Sequence, residues 1–361
     1  MISKSVQIYV KTTETCNLNC SHCFTSGSNG RKIFFKPRET FFFIRDLVES
    51  FQIENLRIVY HGGEPMLAPI RDLEEFQMMC ETLDTQVSYG MQTNLAYHLN
   101  ESKLNFINNT FKDYGLGTSW DYKIRFGSTS ANPNVGKRIE RMWEDNVMKL
   151  ADQGHSLSLM VSLSKDLIRD ISPYKIINYA STLGFKYILF ERITGDGNAL
   201  TNPEVFPKNK EVDSWLLRMF EETMEYKLYN DIGNMFLNEI ANSFSRKKHI
   251  ANRCRNCEQS LITINADGTM SGCPNSAPNK IWGNIFQKPN EVLSSPVRVS
   301  AVCKEMSRNP VCHTCPVNDV CNGDCYKLPW EGDICAAPKS LMSYIKENKD
   351  LQNKMDLLLL D

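Results

Sequence analysis

From the N-terminus to about residue 200, short runs of β-branched and aromatic residues alternate with longer stretches whose apolar positions recur three and four residues apart. The short runs predict strands at Val6 to Thr12, Leu56 to His61, Gln86 to Gln92, Gly117 to Asp121, Leu157 to Leu163 and Tyr187 to Ile193. The stretches between them predict amphipathic helices, for example Pro37 to Phe51 and Arg138 to Asp152. Strand and helix in alternation build a parallel sheet. Six such units fall short of the eight that close a barrel. The pattern therefore predicts an α/β fold, a partial (β/α)6 TIM-like barrel, with its chemistry on the loops after the C-terminal ends of the strands.

Residues 207–252 lack a strand signal, carry helical spacing in VDSWLLRMFEETMEYKLYN and hold the basic Arg246, Lys247 and Lys248; they predict a helical bridge. Residues 253–340 are short segments punctuated by Gly, Pro, Asn and Cys, a texture that buries little apolar surface and needs cross-links or metal to hold a fold. The tail, 341–361, predicts a terminal helix with a structural role. The expected division is a barrel (1–206), a bridge (207–252), a cysteine-rich domain (253–340) and a helix (341–361).

Charge narrows the partners. The 41 basic and 42 acidic residues leave a formal net charge of −1, which argues against nucleic acid or an anionic membrane as the main partner. The longest apolar runs, such as Leu357 to Leu360, are far below the ~20 residues that span a bilayer, and MISKSVQIYVK lacks a signal-peptide core, so a cytoplasmic location is expected. The 13 cysteines are abnormal: Cys16, Cys20 and Cys23 form a head group, Cys80 stands alone, and nine lie between Cys254 and Cys335. Thiols stay reduced in the cytosol, so tight spacing there points to metal. Cys80, in the helical FQMMCETL, reads as a buried apolar residue.

The head string ETCNLNCSHCF sets three cysteines at CxxxCxxC spacing directly after the first strand. A loop there wraps three thiolates around one face of a cluster. Three ligands on four irons leave one iron open, the mark of a catalytic centre rather than a closed one. The alternative is zinc or a ferredoxin-like cluster, but zinc sites usually come as two CxxC-like pairs, and only His22 lies close enough to be a fourth ligand.

These residues resemble the radical S-adenosylmethionine superfamily, whose motif is CxxxCxxC with an aromatic residue beside the last cysteine; His22 and Phe24 flank Cys23. The resemblance implies that the open iron chelates S-adenosylmethionine and that its cleavage gives a 5'-deoxyadenosyl radical that abstracts substrate hydrogen. YHGGEP, with Gly62, Gly63 and Glu64 after the second strand, resembles the GGEP segment that binds the cofactor's amino group. MQTN, with Thr93 and Asn94, resembles the QTN segment, and TSWDY, with Ser119 and Asp121, resembles the SxDG segment with Tyr122 in place of glycine. Arg125 is the candidate for the cofactor carboxylate, with a solvated arginine as the alternative. In FERITGDGN, Glu191, Arg192 and Asp196 are candidates to face cofactor or substrate, with strand-end salt bridges as the alternative.

Farther on, Cys254 and Cys257, GTMSGC ending at Cys273, and CHTCPVNDVCNGDC followed by Cys335 resemble the SPASM domain of radical enzymes. The resemblance assigns Cys254, Cys257, Cys273 and Cys325 to a first auxiliary cluster and Cys312, Cys315, Cys321 and Cys335 to a second, with Cys303 spare. Zinc is the alternative for the tail. The implied cofactors are S-adenosylmethionine and three 4Fe-4S clusters, one catalytic and two auxiliary. Extra clusters suggest an oxidative outcome, and families with both domains mostly modify peptides or proteins. The first expectation is a peptide maturase acting oxidatively, such as by cross-linking, on a ribosomally made precursor peptide, with flavodoxin or ferredoxin as electron donor. The alternatives are maturation of a residue in a partner protein, oxidation of a small molecule, and a non-catalytic iron-sulfur protein. In sulfatase-maturing relatives an aspartate follows the cysteine that matches Cys273; here Pro274 follows. The proton acceptor is left unassigned.

Overall fold

A computed structural model describes residues 4–111, 115–245, 256–275, 280–321 and 323–360. Cys254 and the basic trio Arg246, Lys247 and Lys248 lie outside them. The barrel region runs β1 (Ser5–Thr13), α1 (Pro37–Phe51), β2 (Asn55–Gly62), α2 (Ile70–Cys80), β3 (Gln86–Gln92), α3 (Glu101–Thr110), β4 (Leu116–Ser119), α4 (Pro133–Asp152), β5 (Leu157–Leu163), α5 (Lys165–Asp170), α6 (Pro173–Thr182) and β6 (Tyr187–Arg192). Then come α7 (Asn209–Glu225), β7 (Gly233–Asn234), α8 (Met235–Ser245), α9 (Cys257–Ser260), β8 (Leu261–Ile264), β9 (Thr269–Ser271), β10 (Gly283–Asn284), α10 (Pro289–Leu293), α11 (Pro296–Met306), α12 (Lys339–Glu347) and α13 (Lys349–Asn353).

All six expected strands form, and they pair in parallel in sequence order from β1 to β6. The period of two sets the layers. On β1, Val6, Ile8 and Val10 pack outward under the helices, while Gln7, Tyr9 and Lys11 point the other way, into the hollow of the curved sheet. The outer layer is closed by aromatic packing: Tyr60 lies edge-on to Phe76, Phe106 and Phe111, and Trp143 donates to Thr118 at 3.0 Å. Cys80 is fully buried in this layer, as its helical setting suggests.

The single ten-stranded sheet has the order β10-β9-β8-β1-β2-β3-β4-β5-β6-β7, which adds two features to the sequence pattern. The bridge contains β7, a two-residue strand beside β6 that is too short to leave a periodic signal. The cysteine-rich region also does not stand apart, because β8 lies parallel to β1 and carries the barrel sheet into the tail. Without it, β1 would present an unpaired edge. The terminal segment is two helices rather than one. Asn348 ends α12, and its side chain accepts from the backbone of Asp350 and Leu351 to cap α13. No helix among the described residues is long and apolar enough to cross a membrane.

A buried ion pair ties the tail to the far side of the barrel. Arg192, the last residue of β6, holds Asp324 through both guanidinium nitrogens, one contact being 2.6 Å, and donates to the carbonyl of Ala336 at 3.1 Å. The strand-end salt bridge is thus the arrangement Arg192 adopts. Replacing it in Arg192→Met strands a buried carboxylate and should cost about 3–5 kcal/mol. Hydrogen exchange should rise first in residues 310–337; a uniform rise across the sheet would contradict this role.

Candidate functional site

The segment from Thr13 to Phe24 leaves the C-terminal end of β1 and carries Cys16, Cys20 and Cys23. Its shape is imposed by hydrogen bonds from four other strand ends. After β2, Gly63 N–H donates to Thr13 at 2.9 Å and Glu64 N–H to Thr15 at 3.0 Å. These contacts explain the double glycine. Gly62 has φ 136°, and a Cβ on Gly63 would stand 2.0 Å from the Thr15 carbonyl oxygen. The close approach is therefore made to the cysteine loop itself.

After β3, Asn94 Nδ2 donates to Asn17 at 2.7 Å and lies 3.4 Å from the Cys16 sulfur, while Asn17 donates to the Ala96 carbonyl at 2.7 Å. After β4, Ser21 N–H donates to Ile124 at 3.1 Å, Asn19 N–H to the Thr129 hydroxyl at 3.3 Å, and Ser128 bonds the Asn19 carbonyl at 3.3 Å. After β6, Asn198 donates to the carbonyls of Cys23 at 2.7 Å and Cys20 at 3.0 Å. Gly197, with φ 56°, permits that approach, because a Cβ there would meet the Thr25 oxygen at 2.1 Å. Asn198, Ser128 and Thr129 were not marked by the sequence motifs; the only signal was the GDGN turn after the last expected strand.

Two buried carboxylates organise the rim. Glu64 accepts from Met66 N–H at 3.0 Å, Thr93 hydroxyl at 2.7 Å and Asn94 N–H at 2.7 Å, so it joins the GGEP and QTN segments. Burial lifts its pKa to about 6 against the pull of those donors. Asp121 accepts from Ser162 N–H at 2.6 Å and from Arg125 at 2.6 Å, and meets His22 Nε2 at 3.2 Å. Burial pushes its carboxyl up, but Arg125 and His22 outweigh burial and hold it well below the usual carboxylate range. Ser119, also buried, accepts from Gln92 at 2.9 Å. Tyr122 in place of glycine does not disturb the turn, because the left-handed residue is the next one, Lys123, with φ 63°.

The Arg125 side chain is 14% exposed and paired with Asp121, and it sits within electrostatic reach of Cys20 and Cys16, so it is not a solvated surface arginine. Burial lifts the Cys16 thiol to about 11 and raises Cys20 too. Metal ligation must therefore draw protons off these sulfurs.

In the tail, Cys312, Cys315, Cys321 and Cys335 line one cavity of about 130 Å³, together with Val317, Trp330 and Ile334. Cys257 and Cys273 both lie within electrostatic reach of Tyr9 on β1, and Cys273 and Cys325 within reach of Lys327. Cys254, the fourth thiol implied for that group, lies outside the described residues. Cys303 is exposed on α11. The twelve described cysteines are free thiols, and among the described residues no three His, Cys, Asp or Glu side chains converge as ligands of a single ion do. Four thiolates around one cavity are a donor set that would hold a cysteine-ligated iron-sulfur cluster.

The donor set can be checked without activity. Gly63→Ala must push Thr15 and Cys16 away, so iron bound at the head loop should fall while the tail retains its share; unchanged iron would contradict the packing. For Asp121, the folded pKa is depressed, so its contribution is present above the ordinary carboxylate range and is lost as pH falls through the folded value. The stability gap between wild type and Asp121→Asn in urea titrations should be steady from about pH 8 to 5 and shrink below about pH 4. A gap that widens in acid would refute the assignment.

A family described as the iron-sulfur binding domain of endonuclease III matches residues 306–321, the stretch with Cys312, Cys315 and Cys321. No curated protein matches the chain. Among solved structures, anSMEcpe with bound AdoMet and Cp18Cys peptide is 15% identical, with 97% of this chain and 98% of that one covered at a TM-score of 0.75. A hexahistidine-tagged form of anSMEcpe with bound AdoMet is 15% identical, covering 98% and 95% at 0.76. Streptococcus suis SuiB bound to precursor peptide SuiA is 15% identical, covering 89% and 72% at 0.58. Over nearly its whole length, then, the chain has the fold of anSMEcpe, with a mostly parallel partial barrel and a cysteine-rich tail, and the likeness of its motifs to radical S-adenosylmethionine enzymes with a SPASM domain is matched by a likeness of fold.

Proposed function

We propose that the chain is a radical S-adenosylmethionine enzyme that oxidatively modifies a ribosomally made peptide. The observation that carries this reading is the three-thiol loop, braced by four strand ends at the C-terminal mouth of the sheet, on a fold shared with a protein solved with AdoMet and a peptide. When bound, a 4Fe-4S cluster and S-adenosylmethionine supply a 5'-deoxyadenosyl radical to abstract substrate hydrogen. Cys16, Cys20 and Cys23 are the proposed ligands. Gly62, Gly63, Thr93, Asn94 and Ser119 form the proposed cofactor wall, with Asn94 reaching the Cys16 sulfur.

The chain's own groups hold this wall rigid. Glu64 and Asp121 use their oxygens on their own chain, so in this reading they position the cofactor loops, and Arg125 supplies positive charge beside the thiols. The second auxiliary site is the cavity lined by four cysteines, and the first is the group beside β1. The peptide-bound structures of similar fold support a peptide substrate; a flavodoxin or ferredoxin is the proposed donor and the cytoplasm the proposed compartment. Pro274 after Cys273 weighs against a sulfatase-maturing role.

Anaerobically reconstituted protein should release 5'-deoxyadenosine, and Cys23→Ala should abolish that release; persistence would refute the ligand set. Cys321→Ala should spare cleavage more than product, whereas equal loss would make the tail site a folding element. Co-expression with small neighbouring reading frames should yield a peptide lighter by two hydrogens, and unchanged peptides would count against a peptide substrate.

A further inference from the structure

The hollow of the curved sheet is polar and partly open. Along β5, Leu157, Leu159, Val161 and Leu163 are buried against the helices, while Ser158, Met160 and Ser162 between them are partly exposed. The same alternation leaves Leu189 and Glu191 of β6 and His61 of β2 partly exposed on the inner face. One inward side chain departs from that pattern. Lys11 on β1 is 7% exposed, and among the described residues its ammonium has neither a hydrogen-bond acceptor nor an ion-pair partner. The charges that act on it are Cys273, Glu14, Lys327 and Cys23. Glu14 is already engaged, with both oxygens held by Arg31 at 2.5 and 2.6 Å. A buried cation in this state is costly to the fold.

A second donor stands beside it. β1 and β2 run parallel with Lys11 in register with His61, so the two side chains leave the sheet on the same face. Gly62 N–H donates to His61 Nδ1 at 2.8 Å, which leaves the ring proton on Nε2 and makes that nitrogen a donor. Burial, helped by the Lys11 charge, pushes the His61 pKa down to about 3, so the ring is neutral. The Phe24 ring lies against both, 5.9 Å from Lys11 Nζ and 5.7 Å from the His61 ring, and Tyr9 meets His61 edge-on at 5.6 Å. Phe24 follows Cys23 directly, so the lysine and the histidine sit beside the head loop. The proposed cofactor wall is built from the ends of β2, β3 and β4, whereas Lys11 lies within β1.

We infer that Lys11, with His61 beside it, is a subsite for a carboxylate of the substrate, either an acidic side chain or the C-terminal carboxylate of the peptide. This rests on the reading of the substrate as a peptide. A carboxylate has two oxygens, and the ammonium and the imidazole N–H offer a donor to each. In an interior that screens charge poorly, such a charge-assisted contact separates a carboxylate from the neutral amide of the same shape. Neither residue has to gain or lose a proton to do this, so their role is to position the substrate beside the head loop. The buried charge that burdens the free protein is then offset when substrate enters.

Stability and binding should respond to Lys11→Met in opposite directions. In anaerobically reconstituted protein without substrate, the variant should raise the urea midpoint, because it removes a buried charge that nothing offsets. A lower midpoint would overturn the inference by showing that the fold itself uses Lys11. Calorimetric titration in the presence of S-adenosylmethionine then reads binding of a capped glycine-glutamate-glycine amide, its glutamine counterpart, and that counterpart with a free C-terminus. Wild-type protein should bind one of the two carboxylate peptides roughly tenfold or more tighter than the neutral one, and which of them it prefers names the source of the carboxylate. Lys11→Met should erase the preference and Lys11→Arg should keep it, with affinity for S-adenosylmethionine unchanged in both. Equal binding of all three peptides by wild type, or a loss of S-adenosylmethionine binding in place of the peptide preference, would overturn the inference. A Lys11-dependent preference for glutarate over glutaramide, with no peptide bound, would leave the subsite standing and overturn the peptide reading beneath it.

Discussion

The structure depends on hydrogen bonds that converge on one loop. Residues Thr13 to Phe24 have no regular secondary structure of their own after β1, yet strand ends from β2, β3, β4 and β6 each supply donors or acceptors to their peptide groups and side chains. A loop fixed in this way offers its sulfurs in one geometry before any metal arrives, so little ordering remains to oppose binding. The glycines at 62, 63 and 197 belong to the same constraint, since each lets another segment come within hydrogen-bonding distance of the loop. Conserving space around the loop and positioning the thiols are the same physical requirement.

Buried charge serves that requirement. Asp121 joins His22 in the loop, Arg125 after β4 and Ser162 at the end of β5, so one carboxylate couples three segments around the thiols. Glu64 does the same for the ends of β2 and β3. On the opposite side, the Arg192–Asp324 pair joins β6 to the stretch between Cys321 and Cys325, while β8 joins β1 to the segment leading to Cys273. The tail is therefore connected to both flanks of the barrel.

Much of this was legible in the residues. The six strands were readable because period-two burial leaves a clear trace in runs such as LSLMVSL, and the cysteine groups because metal ligation constrains spacing along the chain. Other features left no such trace. β7 is only two residues long, and β8, LITI, is an ordinary apolar tetrad whose place beside β1 follows from a pairing more than 250 residues away in sequence. Asn198, Ser128 and Thr129 act on backbone carbonyls and amides across long loops, contacts without a fixed spacing to the cysteines. Glu64 and Asp121 were found as motif residues, but their work of tying segments together became visible only in three dimensions.

The central claim is that Cys16, Cys20 and Cys23 hold an iron-sulfur cluster with one iron open to S-adenosylmethionine. The most direct measurement is the EPR spectrum of the reduced, anaerobically purified protein with and without S-adenosylmethionine. The account predicts an iron-sulfur signal that changes when S-adenosylmethionine is added and a Cys20→Ala variant that lacks the responsive signal. Zinc in place of iron, or a spectrum indifferent to S-adenosylmethionine, would contradict it.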